Sequence, residues 1–106
     1  MARAAFTPQH TIARLVILDG EQRSTIFPLY ADQVIIGRID SADLQLDDGR
    51  VSRLHARVRR QDLGFVLEDL DSRAGTQVNG SAIQTLHRLQ DGDHIQVGDT
   101  HLLYET

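Results

Sequence analysis

The sequence has neither cysteine nor lysine. The first absence excludes a disulfide framework, a thiolate metal site and a cysteine nucleophile, and agrees with a reducing compartment. The second removes the lysine that a nucleotide-binding P-loop requires, and the glycines stand singly at turn signals instead of forming a phosphate-cradling run. Long hydrophobic runs are missing too. No stretch approaches the length that spans a bilayer, and the start, MARAAFTPQHT, lacks the apolar core of a signal peptide. The expectation is a cytoplasmic protein with no membrane partner. Positive charge is also short: the net charge of −4 argues against nucleic acid, whose binding draws on a basic surface.

At 106 residues the chain suits one domain with a modest core that needs no metal or disulfide staple. Residues 1–11 carry no periodicity and include Pro8, which predicts a flexible N-terminal tail ahead of a domain over residues 12–106. From Ala13 onward the pattern is of short β runs at residues 14–18, 24–29, 33–38, 43–46, 55–61, 64–70, 76–80, 94–97 and 101–104. Residues 83–89 read either as a strand or as an irregular crossing. Turn signals separate the runs: Asp19-Gly20, Asp48-Gly49, Asn79-Gly80, Asp91-Gly92 and Gly98-Asp99. About ten to eleven short strands with no helix predict an all-β antiparallel sandwich.

All 11 basic residues are arginine, and six of them (Arg38, Arg50, Arg53, Arg57, Arg59, Arg60) lie between Gly37 and Gln61. For Arg57, Arg59 and Arg60 a solvated strand face explains the cluster as well as a binding site does. Arg38 and Ser52 each follow or precede a strand pattern at a loop. Such a pair suits an anion, since a guanidinium is a planar fork of donors matched to phosphate oxygens and a hydroxyl adds another. An ion pair of Arg38 with Asp40 or Asp43 is the alternative.

Ser52 and His55 invite a catalytic reading, which the rest of the sequence does not support. A working pair also needs an orienting acid and an oxyanion hole, and no Gly-x-Ser-x-Gly elbow surrounds Ser52. Metal readings fail as well. Asp43, Gln45 and Asp47 imitate the start of a calcium loop, but Asp48 stands where glycine is required and Leu54 where glutamate is. His87, His94 and His101 lack ligand-type spacing and read as half-buried or solvated strand residues. The chain is expected to be no enzyme and to carry no cofactor or metal.

Taken together, Gly37-Arg38, Ser52 to His55, Gly75-Thr76 and Asn79-Gly80 resemble, in order and spacing, the motifs of the forkhead-associated (FHA) domain. The likeness covers nearly the whole chain, from about Ala13 to Tyr104. It implies a non-catalytic signalling module that binds a threonine-phosphorylated protein, the substrate of a Ser/Thr kinase, through loops at one end of a sandwich. By that likeness Arg38 contacts the phosphate and Ser52 holds another oxygen through its hydroxyl and backbone amide. Arg53 and Arg73 stand near the phosphate, with a solvated loop charge as the alternative for each. Arg50 faces the residue three places after the phosphothreonine. Gly37, His55, Gly75, Thr76 and Asn79 support the site.

One position departs from the pattern. The usual loop is Ser-x-Asn-Gly-Thr, and here Ala74 replaces the asparagine that bonds the peptide main chain. Two functions are therefore weighed: a phosphothreonine-reading module, favoured by Arg38, Ser52 and His55, and a degenerate FHA scaffold for phospho-independent assembly, favoured by Ala74.

Overall fold

The computed structural model describes residues 13–106. The tail expected over residues 1–11 lies outside the described residues. Eleven strands follow one another: β1 (Arg14–Ile17), β2 (Ile26–Pro28), β3 (Gln33–Gly37), β4 (Leu44–Gln45), β5 (Ala56–Gln61), β6 (Gly64–Asp69), β7 (Thr76–Val78), β8 (Ser81–Ala82), β9 (Leu86–Arg88), β10 (His94–Val97) and β11 (Thr100–Glu105). Among the described residues no helix is long and apolar enough to cross a membrane.

The strands form a six-stranded sheet, β2-β1-β11-β10-β7-β8, and a five-stranded sheet, β4-β3-β5-β6-β9. Alternation decides which faces meet. On β5, Ala56 and Val58 point inward and are fully buried, while Arg57 and Arg59 stand on the outer face. Leu15 and Ile17 of β1, Val34 and Ile36 of β3, Leu67 of β6, Ile95 and Val97 of β10 and Leu102 of β11 complete the contact between the sheets. Each such leucine or isoleucine contributes about 1.5 to 3 kcal/mol over leaving it in water. Four loop residues, Leu29, Leu46, Val51 and Leu89, also enter this core, so the connections are packed down and not free.

The outer arginines have their own partners. Arg57 and Arg59 both reach Glu68, at 2.7 and 3.0 Å, and Arg59 followed by Arg57 holds the Glu68 carboxyl below its usual range. Arg60 pairs with Asp32 at 3.2 Å and lies 4.7 Å above the Phe65 ring. The strand-face reading therefore accounts for these three. His87, His94 and His101 are half-buried on strands, as expected.

Three details differ from the sequence reading. β4 pairs with β3 in parallel, Ile36 opposite Leu44, whereas an antiparallel neighbour was expected. The chain leaves β3, turns through residues 38–43, and is pinned alongside it where the Asp43 carboxylate accepts the Ile35 N–H at 2.8 Å. The second strand starts at Ile26, because Ser24 takes a left-handed φ of 74° and serves the turn. Residues 81–89 split into two short edge strands, β8 and β9, with the chain crossing between the sheets from one to the other.

Candidate functional site

One end of the sandwich is built by the loops that follow β3, β4, β6 and β10. Gly37 closes β3, and a Cβ there would stand 1.9 Å from the Arg53 carbonyl oxygen, so only glycine admits this approach of the two chains. With that contact made, the Arg38 N–H donates to the Ser52 carbonyl at 3.1 Å and the His55 N–H to the Ile36 carbonyl at 2.9 Å. Arg38 and Ser52 thus become neighbours through their main chains, fourteen positions apart in sequence.

The Arg38 side chain is exposed, and its Nε donates to the Val51 carbonyl at 2.9 Å. This leaves the two terminal nitrogens of the fork uncommitted. Among the described residues it makes no ion pair, and Asp43 is occupied by the Ile35 amide. Ser52 is half-buried; its Oγ accepts the Arg73 N–H at 3.0 Å, which keeps the hydroxyl proton available to a further acceptor. Its own N–H is not available, because it donates to His55 Nδ1 at 3.0 Å. This corrects the expectation of a backbone amide contact at Ser52. The neighbouring Arg53 N–H has no protein acceptor among the described residues and is the amide free to serve there.

His55 is fully buried. Since Nδ1 accepts from Ser52, Nε2 is the protonated nitrogen, and it donates to the Gly75 carbonyl at 2.8 Å. One imidazole therefore ties the loop before β5 to the loop before β7. Gly75, at φ 81°, turns the chain into buried Thr76, whose Oγ1 donates to Asp69 at 2.7 Å.

Arg38, Arg50, Ser52, Arg53, Arg73 and Ala74, with Gly49 and Val51, line one open cleft of about 570 Å³. Asn79 is not among them. It lies beyond the far end of β7, at φ 52°, where its side chain donates to Asp93 and accepts from the His94 N–H. Its structural part is thus to hold the β7–β8 turn against β10.

Two aspartates that the sequence reading passed over anchor the cleft from behind. Asp69 accepts the Ser72 N–H, the Ser72 hydroxyl and the Thr76 hydroxyl. Burial pushes its pKa up, but these bonds outweigh burial and the carboxyl lies below its ordinary range. Asp48 accepts the Arg50 N–H on one oxygen and the Asp99 N–H and Thr100 hydroxyl on the other, fastening the serine loop to the β10–β11 turn. Its pKa is likewise lowered, the bonds exceeding the burial that opposes them. Gly98 completes that seam: a Cβ there would meet the Val51 side chain at 2.8 Å. In the sequence Asp48 reads as a turn residue and Asp69 falls within the strand pattern over residues 64–70, so neither is singled out as an anchor of the cleft.

The family model described as the FHA domain matches residues 34–98, a span that includes every residue of this site. The chain belongs to the FHA domain family. Over 98 residues it is 36% identical to the oxoglutarate dehydrogenase inhibitor of Corynebacterium diphtheriae, covering 92% of this chain and 68% of that protein. An FHA domain solved in a structural and functional analysis of phosphothreonine-dependent interactions is similar at a TM-score of 0.82 and 33% identity, covering 91% of this chain and 97% of that one. EmbR of Mycobacterium tuberculosis, in complex with a low-affinity phosphopeptide, is similar at a TM-score of 0.82 and 32% identity, covering 89% of this chain. This FHA domain spans 24% of the EmbR chain.

Proposed function

We infer that this FHA domain recruits threonine-phosphorylated proteins by binding the phosphothreonine segment in the cleft between the serine loop and the β6–β7 loop. One observation carries the reading: Arg38, with a free fork, and Ser52, with a free hydroxyl proton, are held side by side at the family's positions by the Gly37 contact. Arg38 and Ser52 grip the phosphate, the Arg53 amide takes the part first given to that of Ser52, and Arg53 and Arg73 flank the group from the two loops. Arg50 stands at the rim, 3.7 Å from exposed Asp99. A solvated pair at that distance is weak, so an acidic side chain on the ligand can replace Asp99.

The two nitrogens of His55 are both engaged, neither with the Ser52 hydroxyl, and this supports a binding role for the pair over a nucleophile–base role. The likeness to phosphothreonine-dependent FHA domains supports binding as the function.

Titrating one peptide, phosphorylated or not on threonine, at two salt concentrations tests the reading. The expected result is binding of the phosphorylated form alone, weakening as salt screens the arginines. A peptide library should show enrichment of Asp or Glu three residues after the phosphothreonine, opposite Arg50. Equal binding of both forms would instead favour the scaffold reading.

That second reading rests on Ala74. Its exposed methyl group lines the cleft where the family places an amide, and it can make no hydrogen bond to a peptide main chain. The loop around it nevertheless keeps its frame, since the Gly75 N–H donates to Ser72 Oγ at 2.9 Å and Thr76 is fixed to Asp69. Ala74→Asn should therefore add one neutral hydrogen bond to the ligand, worth about 0.5 to 1.5 kcal/mol, or roughly two- to tenfold in affinity. Isothermal titration should find the gain similar for phosphopeptides of different flanking sequence and absent for unphosphorylated ones. A neutral or harmful result on a peptide that the unaltered domain binds would mean that another group already anchors the main chain.

A further inference from the structure

Two glutamines outside the cleft brace it from the edge of a sheet. β4 is an edge strand: β3 lies along one side of it, where the Leu46 N–H just past its end donates to the Gly37 carbonyl, and the Gln45 carbonyl and Asp47 N–H are left on the open side. The Gln22 side chain, from the β1–β2 loop, fills that side. Its Nε2 donates to the Gln45 carbonyl and its Oε1 accepts the Asp47 N–H, each at 2.9 Å. A residue of a further parallel strand would bond to the same two groups, so one carboxamide does the work of a strand at this edge. Its partners fix its orientation, because only the nitrogen can donate to a carbonyl and only the oxygen can accept an N–H.

Gln45 passes the restraint on. Its own side chain donates to the Arg38 carbonyl at 3.1 Å. The Arg38 N–H already donates to the Ser52 carbonyl and its Nε to the Val51 carbonyl, so the Gln45 bond completes the fixing of that residue up to its fork. Asp47, for its part, opens the serine loop, a short span between buried Leu46 and buried Val51. Among the described residues the Asp47 N–H has no acceptor other than Gln22. The β1–β2 loop is a firm base for this contact. Within it the Thr25 N–H donates to the Gln22 carbonyl at 3.1 Å, and the Asp19 carboxylate ties it to β11 by accepting the His101 N–H at 3.0 Å.

On the strength of the reading given above, we propose that Gln22 and Gln45 are positioning residues for phosphothreonine binding, although neither lines the cleft. Gln22 holds the start of the serine loop and the main chain of the edge strand, and Gln45 holds the main chain of Arg38. Between them they keep the Arg38 fork and the Ser52 hydroxyl placed for one phosphate before the ligand arrives. Without the two carboxamides that order has to be imposed on binding, at a cost in affinity. The β1–β2 loop thereby governs a site it does not enter.

The test uses the whole chain, its variants Gln22→Met and Gln45→Met, and one short peptide that carries phosphothreonine with aspartate three residues after it. Methionine keeps the length of the side chain and removes its amide. Isothermal titration well below each Tm should show both variants binding about threefold to tenfold more weakly than the parent, with the same salt dependence, because no guanidinium is lost. Amide exchange followed by NMR should show the Asp47 N–H exchanging about tenfold faster in Gln22→Met, while the paired amides of β3 and β5 keep their parental rates. The melts should fall by about 5 °C or less, since water replaces bonds lost at an exposed edge. Affinity within about twofold of the parent in either variant would overturn the proposal. So would unchanged exchange at Asp47 in Gln22→Met, or a loss of affinity matched by an equal loss of protection throughout both sheets. Failure of the parent itself to bind the phosphorylated peptide would instead overturn the reading of the cleft on which the proposal rests.

Discussion

Arg38→Ala is expected to leave a folded domain that has lost nearly all preference for a phosphorylated peptide. The guanidinium is exposed and outside the core, so its removal costs little stability. Its terminal nitrogens, however, face the cleft with no carboxylate partner among the described residues. Each charge-assisted hydrogen bond contributes about 1.5 to 3 kcal/mol, so losing two weakens a short peptide by about a hundredfold or more. Arg38→Lys should be nearly as damaging, for two reasons. An ammonium is a point charge that does not match two phosphate oxygens, and it cannot at the same time donate sideways to the Val51 carbonyl as the Arg38 Nε does at 2.9 Å. The tether to Val51 also steadies the loop that carries Ser52, so the lysine variant loses orientation along with the fork. Fluorescence anisotropy on one labelled phosphopeptide, with a thermal melt of each variant beside it, checks both parts. Unaltered affinity in Arg38→Ala would show that the phosphate is held elsewhere.

Some of this was legible in the sequence because the physical constraint is local. Alternation along residues 55–61 put Ala56 and Val58 inside and the arginines outside, and the sheet obeys it. Asn79-Gly80 announced a turn needing left-handed backbone, and both residues take positive φ, 52° and 87°. What stayed hidden depends on contacts between distant segments. Nothing in Leu44-Gln45 tells that it lies parallel to β3, since its direction is set by where the Asp43 carboxylate finds an amide. The role of the Ser52 N–H depends on the rotation of the His55 ring, which no pattern of residue types encodes. Asp48 bonds Asp99 and Thr100 across more than fifty positions, and an aspartate before glycine looks the same whether or not it has such partners. The arginine count near residue 50 was visible, but its division between cleft and strand face was not. Glu68 and Asp32 take Arg57, Arg59 and Arg60, and that follows only from the β5–β6 pairing and the Asp32 loop.

The second large effect is expected at His55, where stability and binding should fall together. The imidazole has no exposure, accepts the Ser52 N–H at 3.0 Å and donates to the Gly75 carbonyl at 2.8 Å. His55→Ala therefore creates a cavity and leaves a donor and an acceptor without a partner. A lost buried partner costs about 1 to 3 kcal/mol and a large cavity a comparable amount, so a total near 3 to 5 kcal/mol is expected. That is a large share of the roughly 5 to 15 kcal/mol that holds a domain together. For a chain of this size it lowers Tm by roughly 10 to 20 °C. The effect on binding has a separate origin: Ser52 and the Arg73–Gly75 segment are positioned against each other through this ring, and without it the loops move apart even where the sheets remain folded. Peptide titration well below the variant's own Tm isolates that part, and about a tenfold loss is expected there. His55→Gln offers one acceptor and two donors at a different reach, and should recover part of the stability before it recovers affinity. A melt of His55→Ala indistinguishable from the parent would mean that the ring does not bind the two loops together. Loss of ester or phosphoester turnover at unchanged stability would return Ser52 and His55 to the catalytic reading.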